Sequence, residues 1–272
     1  MKKFLVGVIL ESFKKDYITA LNIAHELGVN GVQMYATDGE LSPDNLKGAR
    51  RNNFLKEIKS RDLCVSAIVG DFGLPFTDTD RNKIIIEKSK RILDLAKDLD
   101  TNIVTTHIGT IPEDERSDTY KIMQEACFEL SEYANRLDAH FAIETGPEPA
   151  KRLKKFLDKL PSNGVAVNYD PANLVMVTKD DPVQGVYTLK DYIVHTHAKD
   201  GKPLGLSEAA DSKEPWIELP LGQGNVDFPQ YIKALEEVGY RGFLTIEREV
   251  GMKPAEDIAH AVSYLNKLIE EN

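Results

Sequence analysis

Cysteine, tryptophan and positive charge are all scarce in this chain of 272 residues. Its two cysteines, Cys64 and Cys127, fall in a strand-like and a helix-like run, which argues against a disulfide and reads as buried thiols in a reducing compartment. Lysine and arginine number 34 against 44 acidic residues, a net charge of −10, which argues against nucleic acid or an anionic membrane as partner. The basic pairs Lys14-Lys15, Arg50-Arg51 and Lys154-Lys155 sit on helical patterns, as solvated faces. No apolar run approaches the roughly 20 residues that cross a bilayer. The opening Met1–Leu10 starts basic, but its short apolar run stops at Glu11 with no small-residue cleavage pattern, so it reads as a strand rather than a signal peptide. A cytoplasmic protein is expected.

What is present is alternation. Hydrophobic residues at 42% allow a sizeable core. Apolar strand-like runs near 3–10, 31–35, 63–69, 102–107, 139–144, 165–170, 192–197 and 243–247 are separated by helical patterns. The helices are expected near 14–28, 50–61, 79–98, 117–137, 149–160 and 182–189, then from an Asp227 cap to about 238, and over 254–270. Within 79–98 the expected stripe is Ile84, Ile85, Lys88, Ile92 and Leu95, continuing to Leu99. Residues 199–226 form the longest irregular stretch. Eight strand–helix units in 272 residues average about 34 each, the size of a βαβ unit. A closed (β/α)8 barrel as one domain over 1–272 is the expected fold, with a doubly wound open sheet as the alternative.

Four consecutive strand-like runs end on residues that can hold a metal. Ala139–Glu144 ends on Glu144, Val165–Asp170 on Asp170, Tyr192–His197 on His197 and Phe243–Glu247 on Glu247. Such runs read as buried parallel strands. A buried unpaired carboxylate is costly, so a buried strand rarely ends on one without a partner. One polar ending signals little; four in a row point to a shared site. In a barrel all four face the C-terminal mouth, where active sites are built. Oxygen donors with one imidazole suit Mn²⁺, Mg²⁺ or Co²⁺, with Zn²⁺ possible. The competing reading is buried salt bridges to Lys199, Arg248 or Lys151.

With those residues stands a resemblance. Ile143-Glu144-Thr-Gly, Tyr169-Asp170-Pro-Ala-Asn173, His195-Thr-His197-Ala-Lys199-Asp200, Leu221-Gly-Gln-Gly224-Asn-Val-Asp227 and Gly242-Phe-Leu-Thr-Ile-Glu247-Arg-Glu249 resemble the sugar isomerase/epimerase superfamily of xylose isomerase-like TIM barrels. That superfamily also contains D-tagatose 3-epimerase-like enzymes and endonuclease IV. The resemblance covers the second half; the first half matches by its barrel pattern and His107. It implies one divalent ion on Glu144, Asp170, His197 and Glu247. It also implies that Glu144 and Glu247 are the catalytic pair, exchanging protons with a small sugar or sugar phosphate through an enediolate. The three-zinc cluster of the endonuclease branch cannot be completed. Asn173 and Trp216-Ile-Glu218 replace its extra ligands, and the third strand ends in Val69-Gly70-Asp71 without histidine.

The remaining candidates keep two readings each. His195, two residues from His197 on the same strand face, either touches substrate or is a hydrogen-bonded barrel histidine. His107 binds substrate oxygens or a second metal, or is a satisfied rim histidine. Lys199 holds a substrate oxygen or phosphate, or pairs with Glu144 or Asp200. Arg248 is a substrate clamp, with Glu249 supporting it, and Trp216 stacks on a sugar or anchors its loop. His25, His140 and His260 are expected to be structural. The expected activity is isomerisation or epimerisation, with inosose dehydration, hydroxypyruvate isomerisation or metal and sugar binding without turnover as alternatives. A homo-oligomer stays open.

Overall fold

The computed structural model describes residues 4–209 and 212–271. Strands and helices alternate as β1 (Leu5–Ile9), α1 (Tyr17–Glu26), β2 (Gly31–Tyr35), α2 (Gly48–Lys59), β3 (Cys64–Val69), α3 (Thr79–Asp98), β4 (Ile103–Thr106) and α4 (Asp118–Arg136). The second half continues with β5 (His140–Glu144), α5 (Ala150–Leu157), β6 (Val165–Tyr169), a single turn α6 (Pro171–Asn173) and α7 (Pro182–Leu189). Then come β7 (Ile193–Ala198), β8 (Asp200–Pro203), α8 (Leu206–Ala209), β9 (Trp216–Leu219), α9 (Phe228–Glu237), β10 (Phe243–Ile246) and α10 (Pro254–Glu271). Eight of the strands close a parallel barrel in the order β1-β10-β7-β6-β5-β4-β3-β2, sealed by Leu5 opposite Phe243. The expected (β/α)8 barrel is thus the observed fold.

Local chemistry explains the boundaries. Helix α9 starts where Asp227 accepts from the Gln230 amide at 3.1 Å, with proline in the first turn, and ends before Gly239 at φ +84°. Asp78 and Ser117 cap α3 and α4 in the same way. The core lies between strands and helices. Ile85, Ile92 and Leu95 of α3 face it as expected, but Ile84 is 62% exposed, because a 3.6-residue period that buries Ile85, Ser89 and Ile92 turns 84 and 88 outward. Cys127 is buried; Cys64, expected buried, is exposed at the first residue of β3. The expected first strand began at Lys3, which lies outside the described residues.

The stretch 199–226 is not irregular throughout. β8 and β9 form an antiparallel ribbon with Asp200 opposite Leu219 and Pro203 opposite Trp216. It rises from the end of β7 and walls one side of the barrel mouth. The upper barrel interior is polar: Gln33, Thr105, Asn168, His195, His197 and Thr245 are at most 1% exposed, and each makes hydrogen bonds.

Candidate active site

Glu144 closes β5, Asp170 follows β6, His197 lies near the end of β7 and Glu247 follows β10. The register of neighbouring parallel strands therefore delivers all four to one level of the mouth. Each is buried, and one ligand atom from each lies within 4.8 Å of the other three. His197 Nδ1 is 3.2 Å from Glu247 Oε2, 3.5 Å from Glu144 Oε1 and 3.6 Å from Asp170 Oδ2. Asp170 spends its other oxygen capping α6, accepting from the amides of Ala172 at 2.7 Å and Asn173 at 3.0 Å. Its Oδ2 and His197 Nδ1 are buried without hydrogen-bond partners. Orphaned buried polar atoms are costly, and three buried carboxylates this close repel. A cation on these atoms removes both penalties. The residues therefore fit one divalent ion bound by three oxygens and one imidazole nitrogen.

A second tier aims the four, and it was not legible in advance. Gln33 Nε2 donates to Thr105 Oγ1 at 2.9 Å, which turns its Oε1 toward His197 Nε2 at 3.0 Å. With Nε2 facing that acceptor, Nδ1 faces the carboxylates. Asn168 Nδ2 donates to Glu144 Oε2 at 2.9 Å, and Asn173 Nδ2 donates to Glu144 Oε1 at 3.2 Å. Gln33 and Asn168 were hidden in strand runs, marked only as lone amides among apolar neighbours.

The two glutamates sit in different fields. Burial pushes the Glu247 carboxyl up, but Lys199 and His197 pull it well below the usual carboxylate range. Burial also opposes the charge on Glu144, where His107 and His197 bring the balance down. His107 Nδ1 lies 2.8 Å from Asp71 Oδ2, and Nε2 faces Glu144 Oε1 at 3.5 Å. The Glu144 charge is the main cause lifting His107 to about 9; burial opposes it and Asp71 assists.

The mouth has two lobes, of about 970 and 880 Å³, sharing Tyr35, Asp71, Glu247, Arg248 and Glu249. His107, Glu144, His197, Lys199 and half-buried Trp216 all line the second lobe. The first lobe, between the loops after β1 and β2, brings in Glu11, Tyr17 and Asp38, which nothing in their local sequence singled out. Lys199 pairs with neither Glu144 nor Asp200: its ammonium lies 3.0 Å from Glu247 Oε2 and 2.5 Å from Glu249 Oε2. Arg248, expected as a substrate clamp, lines both lobes and is ion-paired within the rim. Its guanidinium is held by Glu218 at 2.5 Å and Asp257 at 2.9 Å, tying the ribbon and α10 to the rim. His195 is 1% exposed, with Nδ1 2.9 Å from Asn168 Oδ1 and Nε2 3.0 Å from Thr245 Oγ1. Both ring nitrogens are occupied beneath the pocket, so no polar ring atom is left to meet substrate. Burial holds its ring neutral.

The chain is a closed parallel (β/α)8 barrel with a buried cluster of three carboxylates and a histidine at its C-terminal mouth that could hold a metal ion. Residues 21–268 match the model of the xylose isomerase-like TIM barrel family, and the chain belongs to that family. It is 24% identical over 287 residues to the Haemophilus influenzae protein named "Putative L-ribulose-5-phosphate 3-epimerase SgbU", covering 100% of this chain and 98% of that one. It is 27% identical over 135 residues to inosose dehydratase of Clostridium botulinum, a match spanning 47% of this chain and 45% of that protein. Among solved structures, a xylose isomerase domain protein from Planctomyces limnophilus superposes with a TM-score of 0.84 at 24% identity, over 98% of this chain and 97% of the other.

Proposed function

We propose that this protein is a divalent-metal-dependent isomerase or epimerase of a small hydroxy-ketone, a sugar or sugar derivative, acting by proton transfer through an enediolate. The observation that carries this reading is the converging cluster of Glu144, Asp170, His197 and Glu247, with two ligand atoms otherwise orphaned. These four would hold one Mn²⁺, Mg²⁺, Co²⁺ or Zn²⁺. When bound, the ion supplies Lewis-acid polarisation that makes the carbon next to the substrate carbonyl more acidic. Glu144 and Glu247 reach the pocket from strands three apart around the barrel. One carboxylate takes the carbon-bound proton, and the other returns a proton to the opposite face or to the neighbouring carbon. Asn168 and Asn173 fix the plane of Glu144, and Lys199 fixes Glu247. His107 and Lys199 present donors to substrate oxygens, and Trp216 offers a flat face at the rim. Arg248 acts by holding the rim in place.

Dehydration on the same site is the second reading, favoured by the Asp71–His107 pair. An elimination takes the proton beside the carbonyl with one carboxylate and expels the neighbouring hydroxyl as water, which calls for a further proton donor. His107, hydrogen-bonded to Asp71, would take that role.

The test begins with metal analysis. The purified protein is expected to carry about one divalent ion per chain, and His197→Ala to lose most of it. Ketoses, inososes and hydroxypyruvate in deuterated water are then followed by NMR. Exchange of the carbon-bound proton with formation of an epimer or isomer supports the first reading; loss of water supports the second. Full metal occupancy in His197→Ala overturns the ligand assignment, and absence of exchange with every ketone overturns the enediolate chemistry.

A further inference from the structure

We infer that the site accepts an uncharged polyhydroxy ketone and rejects its phosphate ester, a specificity that rests on the isomerase reading above. In (β/α)8 enzymes a phosphate is frequently seated on backbone amides of the loops after the seventh and eighth strands. Here the seventh barrel strand is β7, and the segment after it contains such a nest of amides. Four N–H groups converge on one point: Gly201 and Val226 donate to Asp200 Oδ1 at 2.8 and 3.1 Å, and Gly222 and Gly224 to Oδ2, both at 2.9 Å. The anion in the nest is the chain's own carboxylate, 1% exposed. The fit is tight, since a Cβ on Gly224 would lie 2.1 Å from Asp200 Oδ1. Nothing external can use those amides while Asp200 fills them.

The eighth barrel strand, β10, is followed by Arg248, the side chain best shaped for bidentate phosphate binding. Its Nε and Nη1 are held by Asp257 and Glu218, so its charge is already balanced within the rim. Lys199 lies among Glu247, Glu249 and Glu218. Among the described residues lining both lobes, the other lysines are Lys14, sharing its wall with Glu11 and Asp16, and Lys213, beside Glu214 and Glu218. Ten carboxylates line the two lobes against four lysines and arginines. A divalent ion offsets only part of the charge of its three carboxylate ligands. A phosphate ester, carrying a charge of about −1.5 to −2 near neutral pH, meets a net excess of like charge in the mouth, even with His107 counted among the cations. Hydroxyl groups meet the reverse, because each carboxylate oxygen accepts a charge-assisted hydrogen bond from an O–H.

Two matched pairs test this on the manganese-loaded protein: D-ribulose with D-ribulose 5-phosphate, and D-fructose with D-fructose 6-phosphate. Calorimetric binding and kcat/KM are both expected to favour the neutral member of a pair by at least about a hundredfold. Inorganic phosphate at millimolar concentration is expected not to compete. In Lys14→Gln/Lys213→Gln the neutral ketose should bind within about threefold of the wild type. Equal or better binding of a phosphate ester, saturable competition by inorganic phosphate, or binding of neither member of either pair overturns the inference. Deuterium exchange into whichever member reacts keeps the isomerase reading alive independently. A neutral ketose that binds with the stated preference but never exchanges sinks that reading and leaves the specificity standing.

Discussion

The two glutamates of the site are chemically identical side chains held in opposite ways. Glu144, on β5, has one oxygen bound by the amide of Asn168 and the other by the amide of Asn173, with His107 beyond. Glu247, after β10, leans on the ammonium of Lys199, itself surrounded by Glu218 and Glu249. The amides orient Glu144 while His107 and His197 balance its charge; the ammonium of Lys199 both orients Glu247 and, with His197, balances its charge. An exchange of protons across two faces of a carbon needs two groups that are not equivalent at the moment of reaction. The surroundings supply that inequality without any change of residue type.

The largest effect expected from breaking this comparison comes from the carboxylates themselves. Glu144→Gln and Glu247→Gln each keep size and one ligand oxygen but lose the proton-accepting group. Each is expected to lower the rate by about a hundredfold to ten-thousandfold. Deuterium exchange separates them: the variant that still washes out the substrate's carbon-bound proton while forming no product retains the base, and the other exchanges nothing. Near wild-type turnover in both, with metal bound, removes the two-carboxylate mechanism.

Next in size is Lys199→Met. The side chain is 6% exposed, and its loss leaves buried carboxylates facing one another. Chelator-treated protein is expected to lose about 3–5 kcal/mol of stability in urea unfolding, the usual cost of breaking a buried pair. Added Mn²⁺ should recover part of that loss in the variant. Unchanged stability of the chelated variant would show that Lys199 is not the counter-ion of Glu247.

What was legible beforehand follows the same physical line. The four residues of the cluster announced themselves because charge at the end of a buried strand needs a reason. The barrel announced itself through turn residues and apolar periodicity; Thr79–Asp98 begins at the Asp78 cap, and Pro182–Leu189 at the Asp181 cap with proline in its first turn. The β8–β9 ribbon stayed hidden because Asp200-Gly-Lys-Pro203 is too short and polar to show strand alternation. Gln33 and Asn168 stayed hidden for a different reason. A neutral amide inside a strand can point into helices, barrel or solvent, and only closure of the barrel puts Gln33 of β2 beside His197 of β7. The ion pairs of Arg248 with Glu218 and Asp257 stayed hidden because only the folding of the ribbon and α10 onto the rim brings the three side chains together.

Removing one orienting amide should do less than removing a charge. Asn173 Nδ2 bonds Glu144 Oε1 at 3.2 Å and the Thr145 carbonyl at 3.1 Å. A hydrogen bond to a charged group contributes about 1.5–3 kcal/mol, so Asn173→Ala is expected to lower kcat/KM by roughly ten- to a hundredfold. Asn173→Asp, which sets a carboxylate against Glu144, should fall further at neutral pH. If Asn173→Asp is the more active of the two, Glu144 is not oriented by that amide.

The smallest expected effect is a pH dependence on the Glu144 side. In the metal-free protein His107 is lifted to about 9 by the Glu144 charge, with Asp71 assisting, from an ordinary value of 6.5. A histidine whose folded value is raised stabilises the fold most below its unfolded value, and that contribution fades as pH climbs through the folded one. Stability of the chelated protein is therefore expected to decline between about pH 6.5 and 9, and His107→Gln to flatten that part of the curve. The side chain is 42% exposed, so water screens the interaction and the change should stay below about 1 kcal/mol. Metal on Glu144 weakens the field that holds the proton on His107, so the loaded protein should titrate that histidine at lower pH, readable by NMR of the imidazole. An unshifted histidine in both forms, or a wild-type profile in His107→Gln, would mean that Glu144 does not act on His107 and that amides alone govern its side of the site.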